Sequence, residues 1–243
     1  MDKTKDTQMS YLILGSGGLG GALAHELASR GEEWLLAGRQ LPKGLDPACY
    51  FPLQEVDPLS FDALFTLYDT ATLPTVVINT IGLLHDLSHM PERRVEEVTP
   101  QWLGESLQAN AWPHLALGAS LSRLMTFESR LWLCTLSDLA GSLDEAHREP
   151  VRRYSYRMSK AALNMGSRIL AAEWAERFPG AGVITVHPGL MDTPMQQPFR
   201  QEIDPALLQD PALVAPLLLD LLASLNQAHS GRFVDLRGQP LPW

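Results

Sequence analysis

Lysine is the scarcest charged residue in this chain of 243: four stand at positions 3, 5, 43 and 160, against fifteen arginines. Past residue 43, every permanently positive side chain except Lys160 is an arginine. Basic charge as a whole is short. The formal net charge of −9 excludes the basic surface that general nucleic-acid binding requires and gives no attraction to anionic lipid. Cysteine is limited to Cys49 and Cys134, which have neither metal-ligand spacing nor a disulfide framework. Each sits in apolar sequence, as core thiols do, and a reducing, cytoplasmic compartment is the expectation. Long hydrophobic runs are missing too. The most apolar late stretch, 213–225, is interrupted by Pro216 and Asp220 and is too short to span a bilayer. Residues 1–8 are polar, unlike a signal peptide. No internal repeat or low-complexity tract divides the chain.

What the chain has is alternation. Short apolar runs at 11–14, 34–37, 49–53, 75–78, 131–136, 183–186 and 232–236 read as strands. Helical patterns lie between them, over 19–30 (stopped by Gly31), 59–68, 100–125, 155–178 and 205–225. Strands that are continuous apolar runs alternating with helices predict a parallel sheet covered on both faces. The expected fold class is therefore α/β, with one doubly wound domain over residues 10–243 and a disordered or extended tail at 1–9.

The first strand runs into Gly15-Ser16-Gly17-Gly18-Leu19-Gly20-Gly21. Gly15, Gly17 and Gly20 have the spacing of a dinucleotide fingerprint, in the strand–turn–helix context that gives it meaning, and predict a Rossmann-type domain. Glycine permits the tight turn and lets the backbone approach a pyrophosphate at the helix N-terminus. The second strand ends in Gly38-Arg39, without the acid that would bind the ribose hydroxyls of NAD. An arginine there pairs with a 2′-phosphate, so NADP(H) is the expected cofactor. Lys160 lies four residues after Tyr156 on a predicted helix, so phenol and ammonium share a face. A tyrosine titrating near pH 10 is a poor acid–base group at neutral pH, and an adjacent ammonium stabilises its phenolate. A guanidinium fork does not substitute for that compact ammonium.

In this order, these motifs resemble the short-chain dehydrogenase/reductase family over essentially the whole chain. Tyr156 and Lys160 are similar to its catalytic Tyr-x-x-x-Lys pair, and Asn79-Thr80-Ile81-Gly82 to its Asn-Asn-Ala-Gly. Asn110 stands where the family places a catalytic asparagine. His187-Pro188-Gly189 with Thr193 resembles the stretch that meets the nicotinamide. Stretches at 82–86, 154–160, 197–199 and 241–243 resemble the C-factor (cell-cell signalling) subgroup.

The resemblance implies an NADP(H)-dependent oxidoreductase working on a carbonyl/alcohol pair of a small molecule. Tyr156 would be the general acid/base, and Lys160 would lower its pKa and hold the nicotinamide ribose. Ser137 would position the carbonyl, and Asn110 would hold a relay water. Implied cofactor contacts are Gly15, Ser16, Gly17, Gly18, Leu19, Gly20, Arg39, Gln54, Asn79, Gly82, Tyr156, Lys160, Pro188, Gly189 and Thr193. The family's assemblies imply a homodimer or homotetramer. The chain departs from the pattern at Ile13-Leu14, in place of Thr-Gly, and at Gln54, in place of an aspartate that meets the adenine. It departs again at Asp138, which aligns with the usual serine position; Ser137 is then the candidate and Ser142 the alternative. The subgroup also keeps open a non-catalytic, NADP-binding signalling or redox-sensing role.

Other features carry less. His85 and His89 lack a third ligand at convincing sequence spacing and read as loop histidines rather than a metal pair. Arg148, Arg152, Arg153 and Arg157 read as a solvated face, and Trp102 and Trp112 as packing residues.

Overall fold

The computed structural model describes residues 9–69, 71–144 and 152–243. The expected tail, apart from Met9, and Arg148 lie outside the described residues. Seven strands form one all-parallel sheet in the order β3-β2-β1-β4-β5-β6-β7. They are β1 (Ser10–Leu14), β2 (Glu33–Gly38), β3 (Tyr50–Pro52), β4 (Val76–Asn79), β5 (Trp132–Leu136), β6 (Gly182–His187) and β7 (Arg232–Asp235). The helices are α1 (Gly18–Arg30), α2 (Pro58–Phe65), α3 (Pro100–Asn110), α4 (Trp112–Leu124), α5 (Tyr154–Arg177) and α6 (Pro211–Ala223).

Period-two alternation sorts the strands between two cores. Leu12, Leu14 and Val77 face a layer that includes Phe61, Leu117, Leu121 and Trp174 from α2, α4 and α5. Tyr11, Ile13, Val76 and Ile78 face the other layer, with Leu23 and Leu27 of α1 and Leu218 and Leu222 of α6. Both faces are covered, which is why the strands read as unbroken apolar runs. The order turns back between β1 and β4, and in such sheets a crevice opens there, outside the carboxyl ends of the strands.

Local signals set most boundaries. Gly31 ends α1 in the left-handed conformation (φ 67°), its N–H returning to Ala28 O, as the sequence predicts. Two helices differ from expectation. The pattern over 100–125 is two helices, broken at Ala111 (φ −104°, ψ −43°). Pro113 has no N–H to continue the ladder, but is tolerated in the first turn of a new helix. Asn110 therefore ends α3 instead of lying inside a long helix. The last helix begins at Pro211, not 205, because Asp210 caps it by accepting from Ala212 N at 2.8 Å.

Candidate active site

The glycine turn lies in the crevice. Gly15 has φ 97°, open to glycine and strained for other residues, and a Cβ on Gly20 would overlap the Gly15 carbonyl oxygen. A Cβ on Gly38 would come 2.6 Å from the Ser16 side chain. Around this turn is a cleft of about 640 Å³ lined by 15–20, Gly38, Arg39, Gln54, 80–83 and Thr193. Two features suit it to an anion. The N-cap of α1, Gly17, makes no side-chain cap bond, and no acid lies in the first turn. Gly17 also has nothing within 4 Å of where a Cβ would be, so open space and not protein packing adjoins it. Ser16 Oγ accepts from Gln40 N at 3.2 Å, and Gln54 Nε2 donates to Arg39 O at 3.3 Å, so both residues also hold the tip of β2 in place.

A smaller pocket of about 90 Å³ adjoins the cleft, sharing Thr80, Ile81, Gly82, Leu136, Met191, Thr193 and Met195 with it. Tyr156, Lys160, Asp138, His187, Pro188 and Gly189 face it. Lys160 is 5% exposed, donates to Leu136 O at 3.1 Å and stands 5.8 Å from the Tyr156 ring centre. A Cβ on Gly82 would lie 3.6 Å from Lys160 Nζ and 3.3 Å from Asn110 Oδ1, so the chain passes both groups there as bare backbone. Asn110 is fully engaged. Its Oδ1 accepts from Leu83 N at 2.7 Å, and its Nδ2 donates to Leu83 O at 2.8 Å and Ser159 Oγ at 2.9 Å. Asn79 is buried, its Oδ1 accepting from Ile81 N at the end of β4. Gly189 (φ 82°) makes the turn after β6, with Gln209 Nε2 donating to Pro188 O.

The serine candidate shares the small pocket with the Tyr156–Lys160 pair but does not bond the phenol. Ser137 Oγ donates to Asn164 Oδ1 at 2.7 Å. Ser137 follows β5 and lines the small pocket next to Asp138. The alternative, Ser142, is buried beyond the turn at 139–141. The side chain on the Tyr156 hydroxyl is Asp138, whose Oδ2 accepts from it at 2.9 Å. Asp138 Oδ1 accepts from Ala140 N at 3.0 Å and lies 3.8 Å from His187 Nδ1.

This replacement changes the electrostatics. Burial, then the Asp138 carboxylate, push Tyr156 well above the usual phenol value. Burial opposes ionisation of Asp138, but His187, the Ala140 N–H, the Tyr156 hydroxyl and Lys160 outweigh it and hold the carboxyl below its ordinary range. Burial pulls the Lys160 ammonium down to about 8, against the influence of Asp138.

Three site residues escape sequence reasoning. Asp138 had a signal, its alignment with the serine position. Gln196, 8% exposed with Oε1 unpartnered among the described residues, had none. Nor did Glu92, a buried carboxylate that accepts from Ser155 N at 3.2 Å and from Ser155 Oγ. The two loop histidines diverge: His85 meets Phe199 edge-on, while His89 stacks on Trp102 at 4.6 Å. Folding gathers Asp86, His89 and Glu105 with ligand atoms within 4.8 Å, a grouping invisible to local spacing. Asp86 already accepts from Ser88 N and His89 N, holding its loop.

The all-parallel sheet, the glycine turn in its crevice and the Tyr156–Lys160 pair beside it make a Rossmann-like protein that resembles the short-chain dehydrogenase/reductase family. In sequence the chain is similar to C-signal of Myxococcus xanthus, 40% identical over 90 residues, which span 37% of this chain and 49% of that protein. No family model matches. Among solved structures, carbonyl reductase Sniffer of D. melanogaster superposes with a TM-score of 0.78 at 21% identity, covering 96% of this chain and 99% of that one. The NADPH-bound carbonyl reductase from chicken fatty liver gives 0.77 at 21%, covering 96% and 98%. A short-chain dehydrogenase/reductase from Burkholderia multivorans with bound NADP gives 0.73 at 22%, covering 97% and 100%. These likenesses establish the fold.

Proposed function

We propose that the protein is an NADP(H)-dependent oxidoreductase that moves hydride between the cofactor and a carbonyl/alcohol pair of a small molecule, with Tyr156 as proton donor and acceptor. The observation that carries this reading is the junction of the two cavities: the Tyr156–Lys160 pair borders the very cleft whose glycine turn and uncapped helix N-terminus suit a dinucleotide. Several solved structures of this fold carry NADP or NADPH. Residues 15–20 would hold the pyrophosphate, Arg39 the 2′-phosphate and Gln54 the adenine. Asn79, Gly82, Pro188, Gly189 and Thr193 would frame the nicotinamide end. The cofactor supplies or takes the hydride. Lys160 would bind its ribose, Tyr156 would hold or release the proton at the substrate heteroatom, and Asn110 would keep the backbone at Leu83 in place beside Lys160.

A second reading, a non-catalytic NADP-binding signalling or redox-sensing protein, draws on the hydrogen bond that ties the Tyr156 hydroxyl to Asp138 and on the similarity to C-signal. No helix among the described residues is long and apolar enough to cross a membrane, and we place the protein in the cytoplasm, where Cys49 and Cys134 remain free thiols. Its assembly as a homodimer or homotetramer would use the apolar side chains that α4 and α5 expose, Trp112 and Leu115 on the one and Met158, Met165 and Ile169 on the other.

The cofactor assignment is tested by fluorescence titration. NADPH should bind more tightly than NADH, since a charge-assisted pair with phosphate is worth about 1.5–3 kcal/mol, roughly ten- to a hundredfold. Arg39→Ala should abolish the difference. Equal affinities in the wild type would sink the assignment.

A further inference from the structure

Around the Tyr156 hydroxyl the small pocket, which Thr80, Ser137 and Thr193 also line, offers two side-chain acceptors. Asp138 presents a carboxylate whose side chain is 19% exposed. Gln196 presents a buried amide oxygen without a partner among the described residues. His187 Nδ1 is taken up by neighbours, 3.3 Å from Leu139 N and 3.8 Å from Asp138 Oδ1. Lys160, also on the pocket wall, points its ammonium at Leu136 O and Gly82, on the side shared with the large cleft. A serine hydroxyl at position 138 would donate to a neutral carbonyl oxygen. A carboxylate cannot, because ionised it only accepts.

Resting on the oxidoreductase reading above, we infer that Asp138 makes this pocket select a substrate with an N–H donor at the reacting bond, a protonated imine (C=N–H⁺), over a neutral ketone. The reason lies in the balance of charge. When hydride reaches an iminium carbon, the C=N π pair moves to a nitrogen that already carries its proton, a neutral amine forms, and Tyr156 keeps its hydrogen. When hydride reaches a ketone carbon, the alkoxide takes the Tyr156 proton and leaves a phenolate beside the Asp138 carboxylate, whose oxygen lies 2.9 Å away. Two adjacent anions disfavour that outcome, and the upward push on Tyr156 has the same origin in burial and Asp138. The carboxylate stabilises the iminium cation instead, and Gln196 Oε1 supplies a second acceptor for a donor on the substrate.

The test uses two bicyclic compounds of the same size, 3,4-dihydroisoquinoline and 1-tetralone, with NADPH and the full-length wild type, Asp138→Ser and Asp138→Asn. The wild type should prefer the imine, and Asp138→Ser should lower the imine-to-ketone ratio of kcat/KM at least about tenfold, the loss expected for one charge-assisted hydrogen bond. Calorimetry gives a readout independent of turnover: the amine product, 1,2,3,4-tetrahydroisoquinoline, should bind the wild type at least about tenfold more tightly than either variant. Circular dichroism and NADPH binding establish that the variants are folded. Reduction of the ketone as fast as the imine, with a ratio unchanged in Asp138→Ser, overturns this inference alone. Failure to bind NADPH, or no turnover of either compound by any of the three proteins, overturns the oxidoreductase reading and the inference with it.

Discussion

At the scale of single residues, the site turns on what surrounds one phenol. The i, i+4 spacing puts Tyr156 and Lys160 on one face of α5, and both side chains are buried, at 6% and 5% exposure. Tyr156→Phe removes a hydroxyl and keeps the ring, so folding and NADPH affinity should survive while turnover of a carbonyl substrate is lost. Lys160→Arg should also be inactive, because the enclosed space next to Leu136 O and Gly82 fits a compact ammonium and not a guanidinium fork. Tyr154→Phe, two positions away on another face of the helix, should remain active and serves as the control. Near-normal steady-state rates for Tyr156→Phe on a carbonyl substrate would refute the role given to the phenol. Sequence spacing reveals this pair because one helix carries both members. It does not reveal that the hydroxyl's partner is Asp138, since that residue follows β5 and meets α5 only through packing.

At the scale of elements, the helix that bears the pair begins in an unusual way. The N-cap residue of α5, Arg153, has φ 67° and no side-chain cap bond. Its guanidinium lies over the Phe199 ring at 4.9 Å. The missing cap is supplied from 63 residues away by the buried Glu92 carboxylate, on both the backbone N–H and the hydroxyl of Ser155. A negative charge also suits the positive end of the helix. Glu92→Ala strips the cap and should destabilise the protein by about 1–3 kcal/mol, while Glu92→Gln, which keeps an acceptor, should cost less. Thermal melts of the three proteins, with hydrogen exchange at the first turn of α5, check this; equal melting temperatures would remove Glu92 from the account. A lone glutamate after Pro91 gives no sequence signal of such a role, because a cap is recognised by its neighbourhood in sequence and this one arrives through space. The break between α3 and α4 is the opposite case. Pro113 was in plain view, but the apolar pattern continued across it, and a period alone does not distinguish one helix from two joined at a proline.

At the scale of the whole molecule, a buried histidine ties the layers together. His114 of α4 is fully buried, its Nδ1 2.6 Å from Thr135 Oγ1 of β5 and its Nε2 3.1 Å from Ser167 Oγ of α5. Burial pulls it down to about 4 from 6.5. The folded state therefore keeps it neutral where the unfolded chain takes a proton. Its contribution is full above about pH 6.5, declines as pH falls from there toward 4, and then stays lost. Between pH 7 and 5 the decline should be about 2 kcal/mol, and denaturant melts should show a shallower acid dependence in His114→Gln than in the wild type. Identical slopes would assign the acid sensitivity elsewhere. Assembly belongs to this scale as well. Ile169 and Met165 are each 61% exposed on α5, and Leu115 of α4 packs beside Gly166 between them. Ile169→Glu should shift the protein toward monomer in sedimentation; a wild type that is already monomeric at micromolar concentration would remove this face as an interface.

The sequence by itself determined the α/β alternation, the parallel sheet, the glycine turn and the Tyr156–Lys160 pair, because each is written in a period or spacing along a single element and its flanking turn. Only the tertiary structure decided which side chain meets the phenol, which acceptors line the pocket and what caps α5. Asp138, Gln196 and Glu92 come from three different connections, after β5, after β6 and before α3. Their positions in the chain carry no common period, and folding brings Asp138 and Gln196 to one pocket and Glu92 to the first turn of α5.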